Sequence, residues 1–131
     1  MTKKATTTDS SIYEADSCHI SPTVRDELQE KLLGHPAEQL AGWFKGLSDS
    51  NRVKICYVLT QHKELCVHDI AAILSISIAN ASHHLRLMRL LGITKTRKDK
   101  TTVFYSLADE HVRSILLLGM DHIEEAGQHN I

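Results

Sequence analysis

The sequence predicts a mainly α-helical fold with a small β-hairpin, a winged helix-turn-helix that pairs as a homodimer. Three observations point there. Two helical segments are separated only by Ser75-Ile76-Ser77, the apolar period changes from helical to alternating directly after Gly92, and positive charge gathers on those same elements. The length of 131 residues suits one domain with a short tail, small enough to gain from dimerising. Apolar residues at 42% and charged residues at 24% are ordinary for a globular protein. No apolar run reaches the roughly 18–20 residues that cross a bilayer, and no apolar stretch follows the basic N-terminus as a secretory signal requires. A cytoplasmic location without a membrane partner is therefore expected. Three cysteines, Cys18, Cys56 and Cys66, are too few for a disulfide framework and are expected as thiols. Nine histidines raise the question of metal ions.

Each element has its own signal. Residues 1–20 are polar, rich in Thr and Ser, and read as a flexible N-terminal arm; residues 21–131 make the winged helix-turn-helix. Ser21-Pro22 is an N-cap followed by proline at the first helical position, Val24, Leu28, Leu32 and Leu33 form an apolar stripe, and Gly34 ends it. His35-Pro36 restarts a helix with Leu40, Trp43, Phe44 and Leu47 inward. Ser48 or Asp49 caps the next, whose apolar residues are Val53, Ile55, Cys56, Val58 and Leu59; Cys56 is assigned to the core. Residues 67–74 form a short helix. The helix after the turn, stopping at Gly92, places Ile78, Ala81, Leu85, Met88 and Leu91 inward and Asn80, His83, His84 and Arg86 nearer solvent. ITKTRK and TTVFYSL then read as two strands separated by Asp99-Lys100. Asp109 opens a last helix over residues 109–126, with Val112, Ile115, Leu116, Gly119, Met120 and Ile123 apolar and Gly127 as its stop.

The net charge of −1 conceals an uneven distribution. Residues 84–100 contain Arg86, Arg89, Lys95, Arg97, Lys98 and Lys100 against the single acid Asp99, a net +5 that leaves −6 for the rest. Local charge, not the total, sets contact with phosphates. A helix-turn-helix puts the first residues of its second helix at base edges, so Ser77, Asn80, Ser82 and His83 are the candidate readers of double-stranded operator DNA. Arg86, Arg97, Lys98 and Lys100 are the candidate phosphate anchors, which position without specifying.

The last helix carries a second constellation. His111 and His122 differ by only about 20° around the helix axis but stand about 16 Å apart along it. Zinc ligands lie within about 2.0–2.2 Å of the ion, so one helix cannot bring both to one metal, whereas two antiparallel copies can. Asp109 sits near His111, and Glu125 follows His122 by three residues. Asp109 and His111 from one chain with His122 and Glu125 from the other make a nitrogen and oxygen set suited to tetrahedral Zn(II) or Co(II), and a two-fold dimer builds two such sites. Asp121 and Glu124 are alternatives nearby. Cys66-Val67-His68 offers two more ligands, with Cys18-His19 in the arm as partners; a thiolate there would admit softer ions such as Cd(II) or Pb(II).

ELCVHDIAAIL, SIANASHHLRLMRLLGI and the hairpin ending VFYSLADEHV together resemble the ArsR/SmtB family of metal-sensing repressors, in particular CadC-type cadmium, lead and zinc regulators of efflux pumps. The resemblance covers about residues 38–126. It implies a homodimer that binds operator DNA without metal and releases it with metal, and it implies that Asp109, His111, His122 and Glu125 form the regulatory zinc site. The family's other site departs from its pattern here: His68 stands where a second cysteine belongs, and the arm offers only Cys18, with His19 beside it. That substitution favours zinc over cadmium or lead.

Two rival classes fit the sequence less well. An enzyme is expected to show HExxH, GxSxG or a phosphate loop, none of which occurs, and no small-molecule substrate is expected. A cytosolic metal buffer or chaperone has no use for a basic hairpin.

Overall fold

The computed structural model describes residues 18–129. Of the arm read over residues 1–20, residues 1–17 lie outside them. The chain divides into two compact units, Met1–Leu40 and Ala41–Ile131, with the boundary inside the second helix.

In the first unit, α1 (Pro22–Leu33) begins as the sequence dictates: Ser21 Oγ accepts the Val24 N–H at 3.3 Å and Pro22 holds the first turn. Gly34 closes it, its N–H donating to the Leu32 carbonyl. The expected apolar stripe does not reach a core, for α1 buries none of its residues and Leu28, Leu32 and Leu33 are exposed. The helix α2 (Ala37–Leu47) follows. Only part of its expected inward face is inward: Leu47 is buried and Trp43 packs on the core, whereas Leu40 and Phe44 are exposed, with no described residue burying that side.

The second unit has one core. In α3 (Ser50–Gln61), Asp49 is the cap, its carboxylate accepting the Arg52 N–H at 3.1 Å, and Ile55, Cys56 and Leu59 are buried with Val53 and Val58 at the margin. Burial pushes the Cys56 thiol up to about 12, which makes it an inert core residue. A two-residue strand, β1 (Leu65–Cys66), leads into α4 (Val67–Leu74). The connection to α5 (Ile78–Leu90) turns at Ser75, in the left-handed region at φ 59°, and is closed by the Ile76 N–H on the Ala71 carbonyl at 3.0 Å. Ser77 caps α5 by accepting the Asn80 N–H at 3.0 Å. Gly92, at φ 74°, ends that helix and lets the Ile93 N–H reach back to the Met88 carbonyl at 2.9 Å.

The hairpin is β2 (Thr94–Asp99) and β3 (Thr102–Leu107), antiparallel from Thr94 opposite Leu107 to Asp99 opposite Thr102. The turn therefore centres on Lys100-Thr101, one residue beyond the Asp99-Lys100 expected. β1 adds to the other edge of β3 in the order β1-β3-β2, a strand the sequence reading does not contain, since two residues carry no period. The last helix, α6 (Glu110–His129), starts where expected, with Asp109 Oδ1 accepting the Val112 N–H at 3.0 Å. Gly127 does not stop it.

Two further expectations are corrected. Ile78 is exposed, because it is the first residue of α5, beside the Ser77 cap and ahead of the stripe that meets the core. His84, expected near solvent, is buried at 7% exposure. Ala81, His84, Leu85 and Met88 follow the i, i+3, i+4, i+7 spacing, so His84 lies within the inward stripe that an apolar-only reading passes over.

Candidate nucleic-acid interface and metal centre

The recognition surface is built on α5 and the hairpin. α4 and α5 share the core through Ile70, Ala71, Ala81, Leu85 and Met88, which fixes α5 as a rigid element. Its outer side presents Ser77, Asn80 and His83, all exposed, with Ser82 half-buried and Arg86 exposed one turn further on. His84 anchors it from beneath. An Arg52 guanidinium nitrogen lies 3.2 Å from His84 Nδ1, and the Arg52 Nε–H donates to the Gly46 carbonyl. Asp49 Oδ2 is 3.9 Å from the same imidazole nitrogen. The Arg52 N–H, followed by the charges of Arg52 and His84, holds the Asp49 carboxyl below its usual range against the opposing effect of burial. One histidine thus ties α5 to the end of α2 and the start of α3. The signal that finds it is the stripe spacing, not its polarity.

At the hairpin tip Lys98 and Lys100 are exposed, with Lys100 at φ 59°. Arg97 is differently placed. Its Nε–H and Nη2–H donate to the two carboxylate oxygens of Glu64 at 2.9 Å each, and its guanidinium lies 4.9 Å from the Phe104 ring centroid. Glu64 carries no local sequence signal of this partnership, which spans 33 residues.

On α6, Asp109 uses one carboxylate oxygen to cap the helix and holds the other 3.8 Å from His111 Nδ1. The Val112 N–H is the main reason its carboxyl lies below the usual range. The His111 side chain is 94% exposed, and His122 and Glu125 are exposed too. Between these two pairs lie Ile115 and Leu118, the latter 68% exposed. His111, Ile115, Leu118, His122 and Glu125 follow a 4-3-4-3 spacing, a single stripe about 80° wide. The expected apolar set splits accordingly. Val112 and Leu116 face the chain's own core, Ile115 belongs to the stripe, and Ile123, toward the end of the helix, is 70% exposed. The stripe is symmetric along its length. The midpoint of His111 and His122 is also the midpoint of Ile115 and Leu118, between Leu116 and Leu117.

Elsewhere, Cys66 Sγ–H donates to Asp69 Oδ2 at 3.4 Å beside the exposed His68. Cys18 and His19 are exposed and belong to the first unit. Among the described residues no three His, Cys, Asp or Glu side chains of one chain come together as a metal site. Nor, among them, is any helix long and apolar enough to cross a membrane.

A short helix, a three-residue turn, a second helix with polar residues forward and a basic hairpin directly behind it define a winged helix-turn-helix regulator that binds DNA. The model of the family described as bacterial regulatory protein, arsR family, matches residues 49–96, from the α3 cap into β2. A cadmium resistance transcriptional regulatory protein CadC homolog from Staphylococcus aureus is 43% identical over 113 residues, covering 84% of this chain and 93% of that one. A transcriptional repressor SmtB homolog from Synechocystis is 36% identical over 103 residues, covering 79% and 77%. The chain belongs to the ArsR family, whose members are DNA-binding transcriptional regulators rather than enzymes. Among solved structures it is similar to the homodimeric winged helix-turn-helix DNA-binding domain of a possible ArsR-family transcriptional regulator from Mycobacterium bovis, with a TM-score of 0.64 and 27% identity over 68% of this chain and 82% of that one.

Proposed function

We propose that this protein is a metal-responsive repressor. In this reading the metal-free homodimer holds operator DNA, and Zn(II) bound between two antiparallel copies of α6 releases it to express metal efflux or resistance genes. The observation that carries the proposal is the symmetric stripe on α6. Laid against a second copy about a two-fold axis at its midpoint, it sets His111 against the partner copy's equivalent of His122 and Ile115 against that of Leu118, a self-complementary interface. Asp109 and His111 are a half-site at one end, and His122 and Glu125 are the other half at the opposite end. Two imidazoles and two carboxylates are the donor set that zinc takes, and Asp109 keeps one oxygen beside the imidazole after capping the helix. Bound there, the ion would supply a cross-link between the helices; Co(II) fits the same set. Cys66 and His68 would offer a thiolate and an imidazole to a softer ion such as Cd(II) or Pb(II).

The chain's own residues supply the coupling between metal site and DNA. Asp109 follows Ala108, whose N–H donates to the Ile93 carbonyl at 2.9 Å, and the Ile93 N–H donates to Met88 in α5. Val112 and Leu116 pack in the same core as Leu85 and Met88. A change in the pairing of two α6 helices is thereby a change in the spacing of two α5 helices, on which the match to successive grooves depends. Linkage makes the effect reciprocal, and about 3 kcal/mol of coupling suffices for more than a hundredfold change in affinity. On α5, Ser77, Asn80, Ser82 and His83 take the base edges, while Arg86, Lys98 and Lys100 take phosphates.

The test is fluorescence anisotropy on a labelled duplex from upstream of the protein's own coding sequence, with EDTA or with zinc. The native protein should bind in EDTA and dissociate with zinc. His122→Gln should bind in EDTA almost as the native protein does and stay bound under saturating zinc. Release of that variant by zinc would refute the site. A metal buffer without a DNA role would bind neither way.

A further inference from the structure

We propose that Glu64 is a built-in attenuator of the hairpin's grip on nucleic acid, withholding the Arg97 guanidinium from phosphate by occupying it. The inference rests on the DNA-binding reading above and adds a residue to it. Cys66 pairs with Phe104 and Phe104 with Arg97, one continuous rung across β1, β3 and β2. Glu64 lies two residues before Cys66, on the same side of the chain as that rung. Its carboxylate crosses over β3 to the far strand, meeting both Nε–H and Nη2–H of Arg97 while the guanidinium rests on Phe104.

The edge of the guanidinium that Glu64 takes is the edge that would grip a phosphate in the same two-toothed way. Arg97 cannot serve both at once. Lys63 adjoins Glu64, and Lys95 lies two residues from Arg97 on the same face of β2; both are exposed, and the charges of both act on the Glu64 carboxylate. Without Glu64 this face would carry three cations, Lys63, Lys95 and Arg97, against the acid Asp99 at the end of β2. Glu64 thus stands among these cations, and Arg97 is the one whose donors it takes. Stability gives little reason for it, since the pair is open to solvent on the arginine side, 54% exposed, and such pairs contribute little. A repressor that must let go of DNA gains from a phosphate contact that is held back.

A brace that merely fixes the hairpin would give the opposite sign, so the experiment separates the two. The full chain is titrated in EDTA against its own upstream duplex and against a random-sequence duplex, between about 50 and 200 mM salt. Glu64→Gln should bind both duplexes more tightly than the native protein. Its plot of log affinity against log salt should steepen by about 0.9 for each protomer that gains a phosphate contact, making the gain per protomer about threefold larger at the low-salt end. Arg97→Gln should cost more affinity in the Glu64→Gln background than in the native one. Glu64→Asp, too short to span β3, should show the same gain in smaller measure and guards against a folding defect in the first variant. Native-like folding with unchanged or weaker binding by both Glu64 variants overturns the proposal alone. Failure of the native protein to bind either duplex overturns the DNA reading and this inference with it.

Discussion

Lys100 sits where a lysine should not, and replacing it by glycine should move stability and DNA affinity in opposite directions. The residue is the first of the two that join β2 to β3, between the paired Asp99 and Thr102, and its φ is 59°. A residue with a Cβ is disfavoured in that region by about 1–2 kcal/mol, and glycine is the usual occupant of such a turn position. Glycine's larger entropy in the unfolded chain takes back about 0.5–1 kcal/mol, so Lys100→Gly should stabilise the protein by about 0.5–1 kcal/mol, a rise of a few degrees in Tm. The same change removes an exposed charge from each hairpin tip of the dimer. Two lost phosphate contacts should flatten the salt dependence by about 1.8, so that between about 50 and 200 mM salt the native protein loses about tenfold more affinity than the variant. Thermal melts by circular dichroism and anisotropy across salt measure the two halves separately. A lowered Tm would refute the reading of the turn, and an unchanged salt slope would refute the placement of the tip against phosphate. If both hold, the strained lysine is retained for the contact it makes.

Two other outcomes follow from the same residues. Leu118→Glu sets a carboxylate against the partner copy's equivalent of Ile115 on both sides of the two-fold axis, so sedimentation should show a shift from dimer to monomer and anisotropy should show loss of zinc-driven release; a fully dimeric variant would refute the pairing of α6 helices. Asp49 is held below the usual carboxylate range, so the stability it adds is present above its unfolded value of about 3.9 and is lost as pH falls through the lower folded value. Asp49→Asn keeps an oxygen for the α3 cap, and its melts between about pH 5 and 2 should therefore fall less than those of the native protein.

The helix-turn-helix was legible in the sequence because its signals are local. Val67–Leu74 is an apolar segment with a defined stop, Ser77 is a capping residue and Gly92 is a residue that can take φ 74°. The hairpin was legible because β-branched and aromatic residues alternate there, although the turn slipped by one residue at a lysine that no turn rule expects. What escaped was set by partners distant in the chain. His84 is buried by Arg52 and Asp49, Arg97 is taken by Glu64, and β1 exists only because β3 has an open edge. The apolar faces of α1 and α2 were legible as apolar but not as uncovered, because periodicity reports which side of a helix avoids water and not what shields it. His111 and His122 were legible as residues 11 apart on one side of a helix, whereas the symmetry of Ile115 and Leu118 between them needed the burial of Val112 and Leu116 to show which side of α6 faces away from the core.

Under the proposed function, that division of α6 into two faces would let one helix both complete a fold and report on an ion. Its inner face, through Val112 and Leu116, is committed to the core that also holds Leu85 and Met88 of α5, so the helix cannot shift without the recognition helix registering it. Its outer face carries His111 and His122 about 16 Å apart, and in the proposed reading the half-site around each could not satisfy an ion alone. Metal binding would then be tied to the geometry of a pair of chains rather than to the fold of one, and the unliganded dimer would be free to adopt the spacing that DNA requires. A complete four-ligand site within a single chain would stabilise that chain without changing the relation between two recognition helices. In the proposed reading, the split of the ligands between opposite ends of α6 is what would make the site able to regulate.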